Sequence, residues 1–170
     1  MKSCVPCWIA LIVATGISPS IRAATCSISS TGLAFGSYDP TSSTDVTGTG
    51  NGIVNCSYVG LGDFLFGFTV TISLSQGSSG TYATRTLKQG IQSLDYNLYL
   101  NPGASGTVFG DGSAGTSSYA LCYPGLFASC AGNAGQNGQP FTVPAYGRLP
   151  AGQDIAGGSY TDTLIETITF

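Results

Sequence analysis

The chain has 170 residues, a sequence isoelectric point near 4.4, only 8% charged residues and no histidine. So few cations cannot neutralise a phosphate backbone or an anionic bilayer, so nucleic acid and membrane insertion are excluded as partners. Without histidine, Ser-His-Asp and Cys-His nucleophiles and most zinc sites are excluded too.

The chain opens with Lys2, a short apolar run from Trp8 to Ile17, a break at Pro19-Ser20, and small residues at Ala23-Ala24. This is the pattern of a secretory leader, with cleavage expected after Ala23. The run is shorter than the roughly 20 residues a spanning helix needs. Cys4 and Cys7 would leave with the leader. The expected organisation is therefore a leader over 1–23 and one domain over 24–170. That domain keeps three basic residues (Arg85, Lys88, Arg148) against eight acidic ones, a net charge of −5. Four cysteines remain, and export favours their oxidation. Of the three possible pairings we expect Cys26–Cys56 and Cys122–Cys130, the second bracketing a Pro-Gly turn. Chain entropy gives about 3.5–4 kcal/mol for the longer loop and about 2.5 kcal/mol for the shorter.

Beyond the leader, no long segment repeats apolar residues at helical spacing. Short alternating runs between Gly, Pro, Asn and Asp clusters predict an all-β sandwich. The first strand is expected over 26–35, with a bulge at Ser29-Ser30 where the parity shifts. A turn follows over 36–40, then a polar, mobile loop over 41–52. A second strand is expected over 53–58. Phe64, Phe66, Phe68, Val70, Ile72 and Leu74 alternate without a break and predict one long strand. Residues 76–80 read as a turn, and Leu94, Tyr96, Leu98 and Leu100 as another strand. Val108-Phe109 and residues 118–121 flank a tight turn at Gly110-Asp111-Gly112. Residues 131–139 are loop-like. Residues 141–149 form a strand that Pro144 should confine to an edge or a bulge.

The last stretch, 160–170, is rich in Thr and Ile and lacks Gly and Pro. Leu164, Glu166, Ile168 and Phe170 share the parity expected to face a core. A strand ending there has an edge that no later residue pairs. That edge is expected to receive another chain.

The pieces Cys26, 33–40 (LAFGSYDP), 52–56 (GIVNC), 94–100 (LDYNLYL), 109–112 (FGDG), 146–150 (YGRLP), 158–162 (GSYTD) and 168–170 (ITF) occur in one order across most of the chain. In that order they resemble the spore coat protein U domain, found in Csu-type pilins of archaic chaperone–usher fimbriae. The resemblance implies an immunoglobulin-like sandwich lacking its last strand. It also implies three partners: a periplasmic chaperone that lends a strand, an outer-membrane usher, and a neighbouring pilin subunit that replaces the chaperone. Ile28, Leu33, Phe35, Leu164, Ile168 and Phe170 are the expected lining of the acceptor groove. The protein would be exported through the periplasm to a surface fimbria. Cleavage after Ala23 would leave only Ala24-Thr25 before Cys26, too short for a donor strand. A terminal place in the fibre is therefore expected.

Tyr123, Leu126 and Phe127 lie in the disulfide-closed loop. They either fold back to cap the sandwich, the favoured expectation, or meet an apolar surface. Residues 63–66 could form a second such loop but are expected to begin the long strand. Neither a cofactor, a metal nor an enzymatic activity is expected: Glu166 has no paired carboxylate at a readable spacing, and Gly110-Asp111-Gly112 is too short for a calcium loop. Asp95 and Asp162 are expected to bond strand ends, and Tyr160 to clamp a corner. A self-contained coat or matrix protein remains the alternative to a pilus subunit.

Overall fold

The computed structural model describes residues 24–170; the expected leader over 1–23 lies outside them. Two antiparallel sheets face each other. The strands are β1 (Thr25–Ser30), β2 (Val46–Ser57), β3 (Phe68–Leu74), β4 (Arg85–Gln89), β5 (Gln92–Tyr99), β6 (Tyr119–Tyr123), β7 (Pro140–Leu149) and β8 (Glu166–Thr169). One sheet has the order β1-β2-β7-β5-β4, the other β6-β3-β8. Their inner faces bury Val54, Cys56, Val70, Ile72, Leu94, Tyr96, Leu98, Leu121, Val143 and Leu149 between them. Alternation on β3 and β5 places these residues inward, which is the expected sandwich. Cys26 is bonded to Cys56 across the β1–β2 ladder, and Cys122 to Cys130 within the loop after β6.

Six expectations are corrected. The β1–β2 register runs unbroken from Thr25↔Ser57 to Ser30↔Gly52, so no bulge sits at Ser29-Ser30. The strand ends at Ser30, and Leu33 and Phe35 lie outside any strand. Residues 46–52 are not a mobile loop but the first half of β2, paired with β7. Gly48 and Gly50 are required there because residues 32–34 lie directly on them: an added methyl would meet the Ala34 carbonyl at 2.8 Å or the Gly32 carbonyl at 2.6 Å.

The long strand expected from Phe64 to Leu74 is broken. Residues Leu61–Phe66 form helix α1, and Gly67 (φ +66°) turns the chain into β3. The Asp63 carboxylate holds this turn by accepting the Val59 amide at 2.9 Å and the Ala24 amide at 3.0 Å. Pro144 lies in a strand central to its sheet. β5 pairs β7 only from Tyr146 to Arg148, so only β2 flanks Pro144 and its missing N–H leaves no gap on the other side. Finally, residues 160–170 switch sheets. Thr161 bridges Lys88 on β4, and only Glu166–Thr169 pairs with β3.

Candidate functional site

The switch between sheets opens a cleft. Asp162 fixes it by accepting the Ser78 amide at 2.9 Å, the Thr163 amide at 2.8 Å and the Tyr96 hydroxyl at 2.7 Å. Burial and the adjacent carboxylate push the Tyr96 hydroxyl far above its usual range, so it stays a donor. The Tyr160 hydroxyl donates to the Ala156 carbonyl at 2.9 Å, closing the corner before the crossing. Beyond Asp162 the chain continues as β8, bonded to β3 on one side.

Ser75 donates to the Ile165 carbonyl at 2.9 Å, which sets the phase of the ladder. Antiparallel geometry then turns the N–H and C=O of Glu166 and Ile168 away from β3. Among the described residues no strand covers that side of β8. Facing β8 across the cleft is the segment 33–38, whose backbone groups make no hydrogen bond among the described residues. Its Leu33 and Phe35 side chains point inward, the Phe35 ring edge-on to Tyr96 at 5.7 Å. An added methyl at Gly147 would meet the Phe35 ring at 2.7 Å.

Between these rims are two cavities, about 220 Å³ and 870 Å³, which share Leu33, Phe35, Leu87 and Asp162 in their walls. Of the residues expected to line an acceptor groove, Leu33, Phe35 and Leu164 line these cavities. Ile28 and Ile168 are half-buried against the core and line neither cavity, and Phe170 is 47% exposed. Glu166, expected only to share their parity, lines the smaller cavity; burial raises its carboxyl pKa.

A second feature lies at the end of the sandwich where β2 stops and β3 starts. The Leu126 amide donates to the Phe64 carbonyl and the Phe127 amide to the Leu65 carbonyl, each at 2.8 Å. Loop and helix therefore form one surface. Phe66 and Phe127 meet with ring centroids 6.4 Å apart, and are 66% and 73% exposed; Leu126 is 62% exposed. Leu61 and Phe64 extend the patch. The two segments that sequence alone treated separately share one surface, and Leu126 and Phe127 do not cap the core. Tyr123 does not belong to it: its ring is buried, stacked on Phe68 at 4.8 Å, because β6 parity turns it inward.

Sequence reasoning missed Arg85. Its guanidinium is wholly buried on β4 and donates to the Ser75 carbonyl (2.8 Å), Asn97 Oδ1 (2.8 Å) and the Phe109 carbonyl (2.7 Å). It also lies over the Tyr82 ring at 5.2 Å. Desolvation holds its pKa below the usual arginine value. A lone arginine in a strand-like stretch carries only the signal that buried cations need fixed acceptors.

Fold and cleft define a class: an all-β sandwich with one uncovered edge strand beside a segment that lacks backbone partners. The chain belongs to the Spore Coat Protein U domain family, whose model matches residues 12–167. It is 31% identical over 151 residues to Protein U of Myxococcus xanthus, covering 81% of this chain and 71% of that one. Among solved structures it is similar to a chain of the CsuC-CsuE chaperone-tip adhesion subunit pre-assembly complex from archaic chaperone-usher Csu pili of Acinetobacter baumannii. That likeness has 18% identity and a TM-score of 0.49, and covers 86% of this chain but 40% of the other.

Proposed function

We propose that this protein is an exported structural subunit of a chaperone–usher fimbria, completed by a strand from another polypeptide. The observation that carries this reading is the pair of unpaired rims, 33–38 and the outer side of β8, flanking an apolar cleft. An inserted strand would supply backbone partners to both rims and place alternate side chains against Leu33, Phe35 and Leu164. A periplasmic chaperone would fill the cleft first and a neighbouring pilin later, with an outer-membrane usher between the two steps.

Adding a peptide of alternating apolar residues to the purified protein tests this. We expect saturable binding and a raised melting temperature, following the usual linkage of binding to stability. A stable monomer whose melting the peptide leaves unchanged would instead fit a self-contained coat or matrix protein.

The patch of Phe64, Phe66, Leu126 and Phe127 supports an adhesive and terminal place in the fibre. Exposed aromatic and aliphatic side chains on a disulfide-closed loop meet an apolar surface at small ordering cost. Changing Leu126 and Phe127 to Ser should abolish retention on polystyrene or alkyl-coated beads while melting stays within about 0.5 kcal/mol. Undiminished retention contradicts the adhesive reading.

A further inference from the structure

Glu166 occupies an inward-facing position of β8, between Leu164 and Ile168 in parity. Its carboxylate reaches across the cleft to β2, where a methyl added to Gly52 would meet Oε1 at 2.5 Å. The bare Gly52 therefore makes room for the carboxylate. Among the described residues, Glu166 accepts no hydrogen bond and has no ion-pair partner. The three cations there are engaged elsewhere. Arg85 is held by carbonyls and Asn97, Lys88 Nζ donates to the Ser78 carbonyl at 3.1 Å, and Arg148 pairs with Asp45 at 3.1 Å.

The other walls offer Glu166 no charge complement. Ser30 from β1, Gly50, Asn51 and Gly52 from β2, and Leu74 from β3 carry none. Asp162 and Tyr96 are the other titratable groups in the wall, and they are bonded to each other. The cleft is thus apolar, with one acidic group whose acceptor sites are free. A strand laid over it removes Glu166 further from water, which is costly for an unpaired carboxylate.

We propose that the strand this cleft receives carries a lysine or arginine at the inward position opposite Glu166. This rests on the strand-accepting reading above and adds the chemistry of the partner. An occupant apolar at every inward position would bury the ionised carboxylate unpaired. One cation among apolar neighbours pairs it and fixes the register, since a slip by two residues would place the cation against Leu164 or Ile168.

The test uses the full chain and synthetic peptides about ten residues long with alternating Thr and Val. Lysine replaces Val at one inward position at a time, and affinity is measured by calorimetry. At one position, lysine should tighten binding at least about fivefold over the all-Val peptide, and Glu166→Gln should remove that advantage. pH supplies a second readout that needs no variant. Burial raises the Glu166 pKa, so falling pH neutralises it sooner than an exposed carboxylate. As the pH is lowered from neutrality, the all-Val peptide should bind more tightly and the lysine peptide less tightly. If all-Val binds but lysine helps at no position, or its advantage survives in Glu166→Gln, the inference is overturned while strand acceptance stands. If no alternating peptide binds, strand acceptance fails and this inference with it.

Discussion

On the flank where β4 and β5 meet the turn after β3, side chains tie every approaching segment. Arg85 joins the ends of β3, β5 and the loop at Phe109, Asn97 accepts from Arg85 and donates to the Tyr82 carbonyl at 2.8 Å, and Asp162 bonds Tyr96 and Ser78. On the adjoining flank, residues 33–38 and the outer side of β8 face one another with backbone groups unmatched among the described residues. Both flanks border the same core. The polar groups of the first are satisfied within the chain, and the backbone groups of the second have no partner among the described residues, which is where the proposed strand would bond.

Removing the hub of the closed flank should have the largest effect. Arg85→Met leaves the Ser75 and Phe109 carbonyls without a donor and takes one of two donors from Asn97 Oδ1, and chemical denaturation should register a loss of about 3–5 kcal/mol. An unchanged midpoint would mean that the closed flank is no better tied than the open one. Gly50→Val should cost about 1–3 kcal/mol, because the new side chain displaces residues 32–34 from the floor of β2. Leu33→Ala sharpens the contrast further. In the isolated protein it should cost about 1 kcal/mol, as for a half-buried site, and clearly more once a peptide fills the cleft. Equal losses in both states would separate Leu33 from strand acceptance.

The smallest effect has the opposite sign. Glu166→Leu should stabilise the isolated protein by up to about 1 kcal/mol, because it replaces a half-buried carboxylate whose pKa burial has raised. The same shift makes the folded chain bind a proton more readily than the unfolded one. The Glu166 contribution to stability therefore improves as pH falls from neutrality through the raised folded pKa, and levels off below the ordinary value near 4.5. In Glu166→Leu that part of the pH dependence should vanish from the denaturation curves.

Where local chemistry and tertiary packing agreed, the fold was readable in the chain. The alternation of Leu94, Tyr96 and Leu98 gave β5. The Thr- and Ile-rich stretch 160–170 contains the edge strand β8, and both disulfides join cysteines that chain order places together. Where packing overrode propensity, it was not. The glycines at 48 and 50 look like loop residues until residues 32–34 are seen resting on them. Phe64, Phe66 and Phe68 mimic a strand period, but a side chain at Gly67 would run into the Tyr123 carbonyl, and the positive φ there ends a helix instead. Leu33, Phe35 and Leu164, which the family resemblance implies line a groove, do line the cleft, whereas the placing of Glu166 depends on Gly52 across it, a pairing that no local pattern encodes. Residues 63–66 and 126–127 each read as a candidate surface loop, but their union escaped because they are distant in sequence and joined by two backbone bonds and the Phe66–Phe127 ring contact.

Amide hydrogen exchange on the isolated chain tests the central claim most directly. The account predicts that the Glu166 and Ile168 amides, turned away from β3, exchange quickly, while those of Thr167 and Thr169 are slowed by their ladder bonds, and that an alternating apolar peptide protects the first two. Slow exchange at Glu166 and Ile168 without any added peptide would contradict it, since the edge would then already be covered by the chain itself.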